Sequence, residues 1–108
     1  MKVYISGKVT GLPYEEAWMN FQVVEEMLRE EGYDVVNPLK NGLNPDDPWT
    51  AHMKEDIKLL MGCDAIYMIK GWEESRGSCI EHVISRMIGI SVLNEISNEK
   101  FPIYIPYI

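Results

Sequence analysis

Residues 63–82 read CDAIYMIKGWEESRGSCIEH: an apolar run, a turn with glycine and acids, and then a segment with a carboxylate near its start. The run DAIYMI is apolar enough to predict a strand buried on both faces, which is typical of a parallel sheet. Apolar residues then recur at helical spacing from Ile80 to Met87, and Gly89 predicts the end of that helix. Strand, turn and helix in this order indicate part of a βαβ unit.

The rest of the chain repeats this alternation. KVYIS at 2–6, YDVVNP at 33–38 and ISVLN at 90–94 predict three further strands. Two more helices are predicted over residues 13–31 and from Asp47-Pro48 onward. The apolar stripes of the three helices comprise Ala17, Phe21, Val24 and Leu28, then Trp49, Met53, Ile57 and Leu60, and finally Ile80, Ile84 and Met87. The pattern predicts a small open parallel sheet of about four strands with helices on both faces, a flavodoxin- or Rossmann-like α/β fold.

Length and composition are those of one globular domain. The chain has 108 residues, of which 46% are hydrophobic and 25% charged, and its net charge is −7. This acidity argues against a nucleic-acid polymer or an anionic membrane as partner. With two lone cysteines and no leader-like start, we expect a cytoplasmic protein without cofactor or metal. Residues 94–108 end in the apolar tail FPIYIPYI, for which we expect a role in a homo-oligomer.

Polar and glycine residues follow three of the predicted strands. The carboxyl ends of parallel strands share one edge of the sheet, and open α/β sheets bind ligands there. Ser6-Gly7, Asn37-Pro38 and Lys70-Gly71 are therefore expected at one rim. The polar loop LKNGLNPDDP at 39–48 is long for a compact domain, and such loops often serve function.

The turn Ser75-Arg76-Gly77-Ser78 precedes the third predicted helix. It offers a capping hydroxyl and free N–H groups for an anion, although capping and close packing alone would also explain it. Glu81 follows in the second turn of that helix. The helix dipole there favours a charged carboxylate, which suits a nucleophile, and the alternative is an ordinary solvated surface residue.

Five other residues carry candidate groups. Asp56 follows His52 by four residues, so the two side chains can pair on one helix face, and Asp56 at the edge of a buried stripe needs a partner or a function. Tyr4 lies in the first strand, where aromatic residues commonly belong to the core. Trp49 and Trp72 could wall a flat ligand such as a nucleobase, or could simply pack.

Taken together, these residues resemble the nucleoside 2-deoxyribosyltransferase-like superfamily, in particular its short and often phage-type members. The resemblance rests on YISG in the first strand, Asn37-Pro38, Asp56, the run CDAIYMIKGWEESRGSCIEH and the closing GISVL. It covers roughly residues 1–93, and its most specific part is the run from Gly71 to Glu81.

The resemblance implies catalytic roles for three residues. Glu81, four residues after Gly77, matches the glutamate that attacks the anomeric carbon and forms a glycosyl-enzyme. Tyr4 matches a tyrosine that hydrogen-bonds this glutamate, and Asp56 matches an aspartate that handles the nucleobase and its proton. The substrate-binding positions that we expect are Ser6, Gly7, Asn37, Gly71, Trp72, Ser75, Gly77 and Ser78.

One position departs from the family pattern. Transferases of this superfamily usually carry an aspartate six residues before the nucleophile, where this chain has Ser75. The departure puts base transfer in doubt, while a serine suits a phosphate better than an acid would. We therefore expect cleavage of the N-glycosidic bond of a nucleoside or nucleoside 5'-monophosphate, with transfer of the sugar to water or to another base. The alternatives are a nucleotide-binding or sensing module without turnover, and a small oligomeric interaction protein.

Overall fold

The computed structural model describes residues 1–96, and strands alternate with helices throughout them. The strands are β1 (Lys2–Ser6), β2 (Asp34–Val36), β3 (Ala65–Met68) and β4 (Ser91–Leu93). The α-helices are α1 (Tyr14–Glu30), α2 (Trp49–Met61) and α3 (Arg76–Ile88), and short 3-10 turns lie at Pro38–Lys40 and Trp72–Glu74. The tail FPIYIPYI lies outside the described residues, so its expected role stays a prediction.

The four strands form one parallel sheet in the order β2-β1-β3-β4. This confirms the predicted fold class. The chain runs outward from β1 to β2 and then crosses back to β3 and β4, so the order reverses between β1 and β3. The carboxyl ends of these two central strands are where such a sheet leaves room for a ligand.

Alternation along β1 separates two hydrophobic cores, one on each face of the sheet. Val3 and Ile5 belong to the core that includes Phe21 and Leu28 of α1. Tyr4 belongs to the opposite core, with residues from α2, the loop after it, β3 and the turn before α3: Leu60, Cys63, Ile66, Met68 and Trp72. Helices therefore cover both faces, and Tyr4 is directed toward the layer that contains α2 and α3.

Helix α3 ends at Gly89 as predicted, but it begins at Arg76, so Arg76 to Ser78 of the turn expected before it form its first turn. Its buried face also differs from the prediction. Ser75 caps its start by accepting a hydrogen bond from the Ser78 N–H, and Gly89 ends it in the left-handed region at φ 86°. Met87 of the expected apolar stripe is 55% exposed. The buried residues of the helix are polar instead: Ser78, Glu81, His82 and Ser85. The helix thus turns a row of polar groups toward the sheet.

The lengths and compositions of the helices also bear on membranes. Within residues 1–96, no helix combines the length and the apolar character needed to cross a bilayer.

Candidate active site

A cavity of about 230 Å³ opens beside the carboxyl end of β1, between the loop after β2 and the starts of α2 and α3. Its walls come from segments far apart in sequence, which the reversal of strand order brings together. The candidate residues that line it are Tyr4, Ser6, Gly7, Asp56, Ser75, Gly77, Ser78 and Glu81.

Glu81 lies at the floor of this cavity, with 5% of its surface exposed. The Tyr4 hydroxyl donates a hydrogen bond to Oε2 at 2.6 Å, and the Ser6 hydroxyl donates one to Oε1 at 2.7 Å. Tyr4 and Ser6 are two residues apart on β1, so their side chains leave the same face of the sheet. The strand thus presents two hydroxyl donors to one carboxylate, and the hydrogen bond implied for Tyr4 by the resemblance is present.

The charge balance at Glu81 differs from the expectation based on the helix dipole. Burial raises the pKa of Glu81 to about 7, although the hydrogen bonds from Tyr4 and Ser6 oppose the rise. Desolvation therefore outweighs the groups that favour the ionised form. Burial, together with the nearby Glu81 charge, holds the pKa of Tyr4 well above its usual range, so this hydroxyl remains a donor.

Asp56 projects from α2 into the same cavity. Burial raises the pKa of Asp56 to about 6, while a hydrogen bond from Asn41 and the proximity of His52 act in the opposite direction. Asp56 and His52 share Asn41 as a hydrogen-bond partner. Asn41 Nδ2 lies 2.9 Å from Asp56 Oδ1 and 3.2 Å from His52 Nδ1. Two carboxyl groups with raised pKa values therefore share one cavity.

The start of α3 forms another wall. The Ser75 hydroxyl oxygen accepts from the Ser78 N–H at 3.2 Å. Ser78 Oγ is buried and has no hydrogen-bond partner among the described residues. A Cβ on Gly77 would lie 3.1 Å from Met53 Sδ, so this glycine allows α2 and α3 to approach closely. A helix N-terminus with an unused hydroxyl can accept an anion.

Arg76 and Trp49 lie next to this wall. The Arg76 guanidinium carbon lies 3.9 Å from the centre of the Trp49 ring, a cation–π contact that joins α2 to α3. Trp49 lines the cavity and is 38% exposed, and its expected contact with a flat ligand stays a prediction.

Three expected binding residues lie outside the cavity lining. The Asn37 amide donates to Glu25 Oε1 at 3.1 Å, and its oxygen caps the following turn. Trp72 is fully buried and stacks on the His82 ring with 4.5 Å between centroids. Gly71 takes the left-handed conformation at φ 90° that starts the turn before α3. These three residues therefore lie outside the cavity wall, and the binding roles expected for them stay predictions.

Sequence reasoning missed several cavity residues. Thr10 and Tyr14 come from the segment after β1, and Asp47 comes from the long polar loop. Asn41, from the same loop, contacts Asp56 directly. The unusual length of the loop was the available signal, but it does not indicate which side chains turn inward. Within residues 1–96, no group of three or more His, Cys, Asp or Glu side chains could hold a metal ion.

Comparison with known proteins places this geometry in a family. Residues 1–94 match the model of a domain of unknown function, DUF4406. The structure is similar to that of a 2-deoxyribosyltransferase from the psychrotolerant bacterium Bacillus psychrosaccharolyticus, with 22% sequence identity and a TM-score of 0.68. The match covers 91% of this chain and 77% of that one. No curated protein matches the sequence significantly. At this identity the similarity confirms the expected resemblance at the level of the fold.

Proposed function

We propose that this chain, which belongs to the DUF4406 family, cleaves the N-glycosidic bond of a nucleoside or nucleoside 5'-monophosphate. One observation carries the proposal: the buried Glu81 carboxylate accepts hydrogen bonds from Tyr4 and Ser6 in a cavity that also contains Asp56. A solvated surface glutamate would not receive two buried donors. The fold, shared with a 2-deoxyribosyltransferase, is consistent with nucleoside chemistry.

The mechanism uses the two carboxyl groups in different protonation states, as in retaining glycoside hydrolysis. Ionised Glu81 attacks C1' of the sugar, and the electron pair of the C1'–N bond leaves with the base. Protonated Asp56 delivers its proton to the departing base, so neutral base and a glycosyl ester on Glu81 result. Water, or a second base, then attacks C1' and gives its proton to the Asp56 carboxylate. The bond between C1' and the Glu81 oxygen breaks, so Glu81 is ionised and Asp56 protonated again. Tyr4 and Ser6 hold both oxygens of the nucleophile in place.

The start of α3 supports a phosphorylated substrate. Ser78 Oγ is buried without a partner among residues 1–96, and the N–H groups of this first turn carry the positive end of the helix dipole. An acid at Ser75 would repel a phosphate, and a serine does not. We therefore assign the 5'-phosphate to the Ser75, Gly77 and Ser78 turn.

A second candidate is a nucleotide-binding module without turnover. Two observations favour it: Ser75 replaces the acid typical of transferases, and burial raises the pKa of Glu81 to about 7, which keeps much of this group protonated near neutrality. A protonated Glu81 would donate to a ribose hydroxyl rather than attack C1'.

A chromatographic assay separates the two functions. Purified protein is incubated with nucleosides, deoxynucleosides and their 5'-monophosphates, beside Glu81→Ala and the exposed-site control Glu26→Ala. The glycosidase proposal predicts release of free base by the native protein and the control, with a loss of about 10³-fold or more in Glu81→Ala. A ligand that raises the melting temperature and is recovered intact would select the binding module. No release and no thermal shift with any compound would overturn both.

A further inference from the structure

We infer that Asn41 is a positioning residue, whose side-chain amide determines which oxygen of Asp56 carries the proton delivered to the leaving base. The inference rests on the proposed function and adds a residue to it. Asn41 lies outside the helices and strands, in the long loop between β2 and α2. Its role follows from the hydrogen bonds of its side chain.

The hydrogen-bond donors and acceptors around the Asn41 amide fix its orientation. The Leu43 N–H donates to Asn41 Oδ1 at 3.0 Å, so the amide oxygen faces the backbone. Asn41 Nδ2 therefore faces the cavity side, and its two hydrogens have two acceptors within reach. These are Asp56 Oδ1 at 2.9 Å and His52 Nδ1 at 3.2 Å. Flipping the amide would set its oxygen against both acceptors.

The same donors and acceptors assign the tautomer of His52. In the neutral ring, Nδ1 accepts from Asn41 and the ring proton resides on Nε2, which lies 3.0 Å from the Asn44 carbonyl oxygen. The backbone of one loop therefore holds both sides of the amide. The Leu43 N–H contacts its oxygen directly, and the Asn44 carbonyl holds the His52 ring that contacts its nitrogen. Every donor in this chain of contacts meets an acceptor.

The consequence falls on Asp56. Its Oδ1 accepts the Asn41 hydrogen bond whether the carboxyl group is ionised or protonated, so the acidic proton belongs on Oδ2. No hydrogen bond from another described residue reaches Oδ2. Asp56 also lines the cavity, so the proton is placed on the oxygen that is not occupied by the protein. A general acid needs such a defined geometry toward the leaving group.

Two substitutions separate this role from a purely structural one. Asn41→Asp keeps an oxygen that can accept the Leu43 N–H, but it replaces the donor facing Asp56 with a second carboxylate. Asn41→Ala removes both contacts. If Asn41 only shaped the loop, Asn41→Ala would cause the greater loss of kcat. If Asn41 positions Asp56, Asn41→Asp causes the greater loss.

The first readout is direct titration of Asp56 by carbon NMR of its carboxyl group in ligand-free protein. We expect the apparent pKa to rise in Asn41→Ala, which loses a hydrogen bond, and to rise further in Asn41→Asp. Two adjacent carboxyl groups share a proton, which shifts the apparent pKa upward by about one unit or more. The control Asn44→Ala keeps the carbonyl that His52 contacts, so Asp56 should titrate there as in the native protein.

The second readout is the pH profile of base release with the best substrate. We expect kcat at the native optimum to fall about tenfold or more in Asn41→Asp, because the proton is then shared with the new carboxylate and is no longer held on Oδ2. The change in KM should be smaller, and the acid limb should move to higher pH. Native titration of Asp56 in both variants would overturn the inference, as would a greater loss of kcat in Asn41→Ala than in Asn41→Asp. If the native protein releases no base, the proposed function fails, and the NMR titration still decides whether Asn41 controls Asp56.

Discussion

At the scale of single residues, the pKa values of Glu81 and Asp56 lie in the opposite order to the one that the proposed mechanism favours. Burial raises the pKa of Glu81 to about 7 and that of Asp56 to about 6, so Asp56 loses its proton first as the pH rises. The reaction needs the other singly protonated form, with Glu81 ionised and Asp56 protonated. A difference of one unit leaves that form at about one-tenth of the singly protonated population. The active species is therefore a minor one in the ligand-free protein.

The pH dependence of base release follows from this assignment. The kcat/KM should rise as the pair loses its first proton near pH 6 and fall as it loses the second near pH 7. The physical reason is that the active form contains one proton. Initial rates between about pH 4 and about pH 9 at constant ionic strength would measure the curve. A rate that rises steadily to high pH would show that Asp56 does not act as the acid.

Substitution of Tyr4 tests how far the hydroxyl donor on β1 controls the pKa of Glu81. Tyr4→Phe removes the donor 2.6 Å from Glu81 Oε2, so the pKa of Glu81 should rise further. Because Glu81 loses the second proton of the pair, the alkaline limb should move to higher pH. A hydrogen bond to a charged group predicts a loss of about 10- to 100-fold in kcat/KM. Tyr67→Phe on β3 is the matched control, because Tyr67 packs in the opposite core. Equal effects of the two substitutions would indicate a change in core packing alone.

At the scale of elements, the strands and the ends of the helices were predictable because they follow local rules. Buried apolar runs predicted β1 and β3, and Gly89 predicted the end of α3. The buried face of α3 was not predictable in the same way. A helix is expected to bury its apolar stripe, but α3 buries Glu81, because the hydroxyl groups of Tyr4 and Ser6 on β1 supply it with two hydrogen-bond donors.

The site was predicted in part for a related reason. Glu81, Asp56 and Tyr4 were recognised from motif residues, and they do line one cavity. The side chains of Asn37 and Trp72 do not line the cavity because each has another tertiary partner. Asn37 hydrogen-bonds Glu25, and Trp72 stacks on the ring of His82. Contacts between distant residues decide such orientations, and a single sequence does not show them.

The cap of α3 is the element most open to a test of substrate class. Ser75→Ala removes the cap to Ser78 and should lower the free energy of unfolding by about 1 kcal/mol. Ser75→Asp keeps a capping oxygen and suits the helix dipole, so its melting temperature should stay near the native value. Its negative charge should nevertheless repel a phosphate. We expect kcat/KM for a 5'-monophosphate to fall about tenfold relative to the matching nucleoside. Equal losses with both substrates would place the phosphate elsewhere.

At the scale of the whole molecule, ionisation of the buried carboxyl groups in the candidate site lowers the stability of the folded protein. The sheet order brings β1, α2 and α3 around one cavity, and the carboxyl groups placed there are poorly solvated. Raised carboxyl pKa values mean that the folded protein holds protons which the unfolded chain releases. Glu25 has the opposite effect. Although burial alone would raise it, hydrogen bonds from Lys40, Asn37 and Arg29 lower the pKa of Glu25, so its contribution is present near neutrality and is lost in acid.

The stability of the protein should therefore depend on pH through Glu81. Below its ordinary pKa of 4.5 the group is protonated in both states; as the pH rises to about 7 the unfolded chain ionises first, and the folded state loses its advantage. Complete passage through this window lowers the free energy of unfolding by about 3 kcal/mol. Glu81→Gln removes the titration, so its stability relative to the native protein should increase between about pH 5 and about pH 8. Urea unfolding without ligand measures this difference, with the exposed-site substitution Glu26→Gln controlling for net charge. If the native protein and Glu81→Gln lose stability in parallel over this pH range, Glu81 is already ionised in the folded state. The predicted pH dependence of base release, which relies on the raised pKa of Glu81, would then be wrong too.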